Sequence, residues 1–439
     1  MKKENIKETQ NDLMEKIVSL CKRRGFVFQG SEIYGGLGGT FDWGHFGVAL
    51  KNNIKQAWWK KFVDGRRDMY GVDAAILMNS KVWEASGHVA GFSDPLIECE
   101  KCKKRFRADQ LSDIKKCPEC EGKLGSMRQF NMMFATKIGA MEDSAATVYL
   151  RPETAQGMFV NFKNTVDAFH PRLPFGMAQI GKAFRNEITP RDFLFRQREF
   201  EQMEIEYFVR QGTWEKYFEY WKDEMTEWMQ EIGIDIKRVH ELEVPAEDRA
   251  HYSSRTIDFE FDYPFGKKEL FGLAYRTDFD LKNHKLDYID EEMGEKIVPH
   301  VIEPTFGVDR AVLALIVSVY AEDQKDGEVR SYLKFKPSIA PVICAVSPLL
   351  KNKPELVEYA NTKVFAPLKA EFGRVAWDDN GNIGKRYRRQ DEIGTPFCIV
   401  VDFDTLTDNT VTVRDRDTGE QERIPVAELK NYINSKISI

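Results

Sequence analysis

Along the chain, apolar residues recur first at helical spacing, then at every second position, then at helical spacing again. Residues 5–24 place Ile6, Leu13, Ile17 and Leu20 on one side of a helix. The stretch GVALKNNIKQAWWKKFV, 47–63, predicts a second helix with Val48, Ile54, Trp58 and Phe62 as its apolar positions. A Trp- and Tyr-rich helix is predicted over 213–232, strands over 256–276, and a strand turning into a long apolar helix over 297–320. Near Lys336 the character changes, and FKPSIAPVICAVSPLL brackets a strand-like run with prolines. Beyond it strands and helices alternate through PVICAV, 354–372, VAWDD, a basic helix near 385, PFCIVVDF and TVTVRDR, which predicts a small α/β domain.

The period-two pattern is densest in FRNEITPRDFLFRQREFEQMEIE, 184–206, which carries four arginines, five glutamates and an aspartate among aromatics. Strand side chains alternate faces. From Phe195 onward, Arg196, Arg198, Phe200, Gln202 and Glu204 share one face; Gln197, Glu199, Glu201, Met203 and Ile205 share the other with Phe195. LPFGMAQIGKAFRNE reads as a partner strand ending near Glu187, with Arg185 and Glu187 on one face and 188–194 as the loop. The hairpin presents arginines, an aromatic ring and carboxylates on one surface. Arginine suits phosphate, a phenyl ring suits a stacked base, and a carboxylate suits an ammonium. ATP beside an amino acid has all three features.

Length, charge and cysteines narrow the picture. A chain of 439 residues predicts two or three domains, and 42% hydrophobic content argues for substantial cores. No apolar run approaches a membrane span, and the polar start MKKENIKETQ lacks a signal core, so a cytoplasmic protein is expected. The net charge of −6 does not advertise nucleic acid, but GKRYRRQDE, 384–392, is a local basic patch. Four of the seven cysteines form two C-x2-C pairs, Cys99/Cys102 and Cys117/Cys120, which predict a closed structural Zn²⁺ site in an insertion at about 95–128. Cys21, Cys344 and Cys398 read as buried thiols. The glycine-rich IYGGLGGTFDWG lacks the strand and Lys-Ser/Thr ending of a phosphate loop and reads as a packing segment. His88, in an SGH triplet, reads as a structural hydrogen-bonder. Asp309 and Arg310 open the long apolar helix, where an arginine needs an anionic partner.

Taken together, FRNE at 184–187 with FRQREFE at 195–201 resembles motif 2 of class II aminoacyl-tRNA synthetases. GVDR at 307–310 resembles motif 3, and KNNIKQAWW at 51–59 the dimer-interface motif 1. RPETAQG, FEQMEIE and IEPTFGVDR together resemble the glycyl-tRNA synthetases of the single-chain, homodimeric kind, over about residues 22–430. The resemblance implies an α+β fold. Residues 1–336 would form an antiparallel-sheet catalytic domain bearing the zinc-ribbon-like insertion, and 337–439 an α/β anticodon-binding domain. It implies activation of glycine with ATP and Mg²⁺, transfer to tRNA(Gly), and a homodimer. The competing reading is a non-catalytic paralogue that binds tRNA or amino acid.

The resemblance also assigns residues. Arg185, Glu187 and Arg310 would be catalytic, with Arg185 on the α-phosphate and Arg310 on the γ-phosphate. Asn186, Phe195, Arg196, Gln197, Arg198, Glu199, Phe200, Glu269, Leu270, Glu303, Pro304, Thr305 and Phe306 would complete the ATP site. Phe200 would stack on adenine, and Glu269 and Glu303 are candidates for Mg²⁺. Glycine would be held by Arg107, Glu153, Phe200, Glu201, Gln202, Met203, Glu204, Arg276, Glu303 and Thr305, with Glu153, Glu204 and Glu303 on its ammonium. Thr305 stands where the family commonly has serine, and the insertion is shorter than in many bacterial relatives. Lys385, Arg386, Arg388 and Arg389 would contact tRNA phosphates.

Overall fold

The computed structural model describes residues 2–139, 147–325 and 327–437, with the side chains of 2–11, Ile6 among them, and of 325 and 328 left aside. The first helix is α1 (Lys2–Arg23) and the second α2 (His45–Trp59). A seven-stranded sheet follows in the order β4-β5-β6-β7-β3-β2-β1. In chain order these are β1 (Met69–Gly71), β2 (Phe175–Phe184), β3 (Glu199–Val209), β4 (Val239–Glu243), β5 (Arg255–Tyr263), β6 (Gly266–Thr277) and β7 (His300–Gly307). Every neighbouring pair is antiparallel except β1 with β2. Helices α3 (Ala155–Phe169), α4 (Trp214–Ile232) and α5 (Val308–Val319) pack on the sheet.

The two faces of β3 explain the architecture. Met203, Ile205, Tyr207 and Val209 point into the main core with α2, α4 and α5. Phe200, Gln202, Glu204 and Glu206 point the other way, and Phe208 ends that row in a second core under α3. A period-two strand thus buries apolar chains beneath the sheet and displays chemistry above it.

The hairpin loop is longer than its alternation suggests. β2 stops at Phe184 and β3 starts at Glu199. Asp192 and Phe193 take positive φ of 60° and 54°, and a 3-10 turn covers Phe193–Phe195. Arg185, Glu187, Arg196 and Arg198 are therefore loop residues, not members of a strand face. The glycine-rich segment braces this loop. Gly38 and Gly39 accept hydrogen bonds from Arg198, and a Cβ on Gly39 would lie 2.5 Å from Pro190. In α2, Ile54, Trp58 and Phe62 of the following turn are buried, whereas Val48 is 45% exposed.

The C-terminal sheet has the order β9-β8-β10-β11-β12. These are β8 (Cys344–Pro348), β9 (Val375–Trp377), β10 (Phe397–Val401), β11 (Thr410–Asp415) and β12 (Gln421–Pro425), with their own core. The basic helix α6 (Ile383–Ile393) packs here, capped by the Asn382 side chain. Its back is tied to the rest of the chain: Asp391 pairs with Arg330 at 3.1 Å, and Glu392 with Arg23 at 3.2 Å.

Candidate active site

Two cavities meet above β3, β6 and β7. The first, of about 220 Å³, is bounded by Arg185, Arg196, Phe195, Phe200, Glu269 and Arg310, with Arg107 and Glu187 at its rim. The second, of about 290 Å³, is bounded by Glu153, Glu204, Glu303, Tyr252 and Asp258. Arg185, Gln202, Glu269, Gly272 and Thr305 belong to both.

In the first cavity Arg185 is anchored by a neutral carbonyl, and Arg310 by two carbonyls with one carboxylate beside it. Arg185 donates to Pro152 O at 3.1 Å, and its guanidinium sits between the Phe92 and Phe200 rings at 5.4 and 5.3 Å. Arg310 lies 4.5 Å over Phe195 and donates to Phe195 O and Glu269 O, with the Glu269 carboxylate 3.2 Å away. Carbonyl anchoring fixes a guanidinium without cancelling its charge, so Arg185 keeps its charge available to an anion. Arg196 reaches Glu187 at 3.4 Å, and burial pulls its pKa below the ordinary arginine value. Arg107 arrives from the strand Arg105–Arg107 of the insertion, paired with Asp94 and Asp109 at 2.8 Å each.

The N-terminus of α5, which carries Arg310, is clamped from α2. Lys51 bridges Asp309 and Glu201 at 3.1 and 3.0 Å, Lys55 adds 2.9 Å to Glu201, and Asp309 accepts the Glu201 N–H at 2.7 Å. Burial raises the Glu201 carboxyl, but the two lysines outweigh it and hold it below the usual carboxylate range.

The second cavity is a cage of buried carboxylates. Glu204 accepts from Thr154 Oγ1 at 2.5 Å and Thr305 Oγ1 at 3.0 Å. Glu153 accepts from Gln156 at 3.1 Å. Burial would raise Glu153, but His88 and Arg276 outweigh it and hold it well below the usual range. Burial and the nearby Glu153 push Glu204 upward. Arg276, 1% exposed, forks onto Asp280 at 2.7 and 2.9 Å and reaches Glu303 at 2.6 Å. It works behind the carboxylates. Glu206, fully buried, has neither oxygen hydrogen-bonded, and oxygens of Glu204, Glu206 and Glu303 lie within 4.8 Å of one another. Burial and the facing Glu303 hold Glu206 well above the carboxylate range.

The geometry sorts the residues expected around the ligands. Met203 and Phe306 are fully buried in the main core, and Pro304 alternates to that same underside, so their side chains face away from both cavities. Arg198 turns away to Gly38 O and Glu187 O, and Glu199 pairs with Lys182 on the far face. Glu201 and Gln197 border the cleft, but Glu201 is committed to the lysines and Gln197 to Leu194 O. Asn186 is held through its backbone on Met132 O, and Leu270 is a core residue at the cleft wall. Glu269 and Glu303 stand about five residues apart in sheet register, roughly 17 Å along the strands, so no single ion takes both. Arg386 is buried against Pro348 O and Gly381 O, and Arg389 pairs with Asp378 at 2.6 Å. Lys385 and Arg388 border a cavity of about 620 Å³ with Arg330 and Arg414. Sequence reasoning missed Thr154, Asp280 and Glu206. For Glu206 the signal was present, because the period-two row through Phe200 and Glu204 continues to it.

In the insertion, Sγ of Cys99 and Cys120 are 3.6 Å apart, those of Cys102 and Cys117 3.7 Å, and all four lie within 4.8 Å. A tetrahedron with Zn–S bonds of 2.3 Å has edges of about 3.8 Å, so the set fits a closed zinc site. Gly122 lets the thiols converge, since a Cβ there would lie 3.2 Å from two of the sulfurs.

The chain matches the class II core domain of tRNA synthetases (G, H, P, S and T) over 134–320 and an anticodon binding domain over 343–436. The solved prolyl-tRNA synthetase of Cryptosporidium parvum shares the fold, with a TM-score of 0.67 over 96% of this chain and 74% of that one at 15% identity. The glycine–tRNA ligase of Lachnospira eligens is 50% identical over 96% of this chain and 98% of its own. That of Bacillus thuringiensis subsp. konkukian is 48% identical over 97% of this chain and 99% of its own. No helix among the described residues is long and apolar enough to cross a membrane. Identity of this order along almost the whole length, on a class II core with its arginine cleft in place, means that the chain belongs to the glycine–tRNA ligases of the class II aminoacyl-tRNA synthetases.

Proposed function

We propose that the two cavities divide one substrate pair, ATP in the arginine cleft and glycine in the carboxylate cage. Their shared wall, formed by Arg185, Gln202, Glu269, Gly272 and Thr305, carries this reading. Arg185 contacts the α-phosphate and Arg310 the γ-phosphate, and Phe200 forms the platform for adenine. Glu153, Glu204 and Glu303 accept the three N–H bonds of the ammonium, and Thr305 crowds the α-carbon. A pocket that excludes bulk rejects alanine more strongly than one that merely misses a methyl contact.

One glycine carboxylate oxygen attacks the α-phosphorus in line. The bond to the bridging oxygen breaks, and pyrophosphate leaves with the electron pair. No side-chain nucleophile is required, because phosphoryl-type transfer needs positioning and charge neutralisation. The terminal tRNA hydroxyl then attacks the carbonyl of glycyl-adenylate, and AMP departs. Glu269, on the wall of both cavities, would hold Mg²⁺, which would supply neutralisation of phosphate charge. Cys99, Cys102, Cys117 and Cys120 would hold a structural Zn²⁺ that fixes the insertion delivering Arg107. Residues 1–336 form the catalytic unit in this reading, and 337–439 bind the anticodon arm through Lys385 and Arg388. Dimerisation through the region of α2 fits the exposure of Val48 and, just before it, of Ile33, Tyr34 and Leu37.

The test is amino-acid-dependent ATP–pyrophosphate exchange with glycine, alanine and serine in parallel, on wild type and Arg185→Ala. Exchange with glycine alone, lost in the variant, is expected. Exchange with alanine or serine would overturn the pocket assignment. Folded protein that exchanges with none would favour the non-catalytic reading.

A further inference from the structure

The segment Ser86–Asp94, SGHVAGFSD, touches three substrate-binding side chains at once, yet touches no proposed ligand position itself. Gly87, at φ 83°, turns the chain so that His88 enters the interior. The His88 ring is 6% exposed and walled by Trp83 and Phe92, with centroids at 5.5 and 5.3 Å. Its Nδ1 lies 2.8 Å from Ser86 Oγ, and its Nε2 lies 3.3 Å from Glu153 Oε2. A carboxylate can only accept, so Nε2 carries the hydrogen toward Glu153. With Gln156 on the other oxygen, Glu153 is gripped from both sides.

Four residues on, the Phe92 ring supports the Arg185 guanidinium at 5.4 Å. Two further on, Asp94 meets Arg107 at 2.8 Å. The segment runs directly into the strand Ser93–Glu98, which pairs with Arg128–Asn131 as the stem of the cysteine insertion. Asn131 closes the stem back onto Val89 O at 3.0 Å. Glu153, Arg185 and Arg107 come from separate parts of the chain and serve different parts of the substrates. A single short segment holding all three is more than local packing requires.

Resting on the reading of the site given above, we propose that residues 86–94 form a positioning strap. In it His88 aims Glu153 at the glycine ammonium, Phe92 seats Arg185 and Asp94 seats Arg107, so that both halves of the site are set from the stem of the insertion. None of the three is catalytic; each acts through the side chain it holds.

The experiment is pyrophosphate exchange with glycine and ATP titrated separately, on His88→Phe, His88→Gln, Ser86→Ala and Phe92→Leu. His88→Phe keeps a ring and removes the donor. It should raise the glycine KM about tenfold, the worth of a hydrogen bond to a charged group, and leave the ATP KM within about twofold. His88→Gln, whose amide N–H can replace Nε2–H, should restore the glycine KM to within about threefold of wild type. Ser86→Ala, a smaller disturbance of the fold, should raise it about threefold. Phe92→Leu should move the ATP KM instead. Unchanged glycine KM in both His88→Phe and Ser86→Ala would overturn the proposal, as would parallel rises in both KM values, the mark of a merely structural role. Wild-type protein whose exchange does not depend on glycine would instead overturn the functional reading beneath it.

Discussion

The two halves of the cleft solve opposite electrostatic problems by opposite means. On the proposed nucleotide side the arginines are partly open: Arg185 rests on a carbonyl, and Arg310 on two carbonyls and the Glu269 carboxylate. On the amino-acid side the charged groups are almost sealed. Glu204 and Glu303 are 2% and 6% exposed, beside the buried Arg276, which is already committed to Asp280 and Glu303. The contrast fits the charges of the two proposed ligands. A triphosphate spans a groove and can be met by several flexible cations. An ammonium on a two-carbon acid offers three hydrogen bonds at one point, and among buried carboxylates each contact counts for more.

The sharpest way to break the contrast is Arg310→Ala. Exchange should fall about 100- to 1,000-fold in kcat, as for removal of a group aimed at transition-state charge, while the glycine KM stays near wild type. Lysine should rescue poorly, because it lacks the planar face that rests on Phe195. Glu204→Gln should do the converse: a glycine KM raised about tenfold or more, with the ATP KM little changed, read in the same titrations. Met203→Ala tests the other face of the same strand. It should cost about 2–4 kcal/mol in chemical denaturation and leave both KM values near wild type. The smallest effect concerns the α2 clamp. Because Glu201 is held below its ordinary value of 4.5, its stabilising contribution is present above that value and lost as pH falls through the lowered one. The stability gap between wild type and Glu201→Gln, measured by denaturation across pH, should therefore be open at pH 7 and close on acidification below 4.5.

Much of this was legible in the sequence, where local pattern decides. The α4 and α5 helices, the alternation in the C-terminal region, the paired cysteines and the polar row from Phe200 to Glu204 all follow from periodicity or spacing. The failures share a cause. Arg196 and Arg198 continue the alternation of β3 but sit in a loop, because pairing with β2 ends at Glu199 and positive φ at Asp192 and Phe193 turns the chain away. Arg386 and Arg389 look like free cations on a basic helix, yet Pro348 O and Asp378, distant in sequence, had to be placed before their commitment could be seen. His88 presented itself as an isolated residue, since Glu153 approaches only in the folded chain.

The division of β3 into two faces has a consequence for how such a chain can change over time. Substitutions alter one face at a time, but gaining or losing a single residue between Glu199 and Val209 would exchange the faces wholesale. Glu204 and Glu206 would then lie among Trp221 and Phe271, and Met203 and Ile205 would line the substrate cavity. Length variation in descendants of this chain should therefore be absent from these eleven positions and fall instead in the surface turns beyond them.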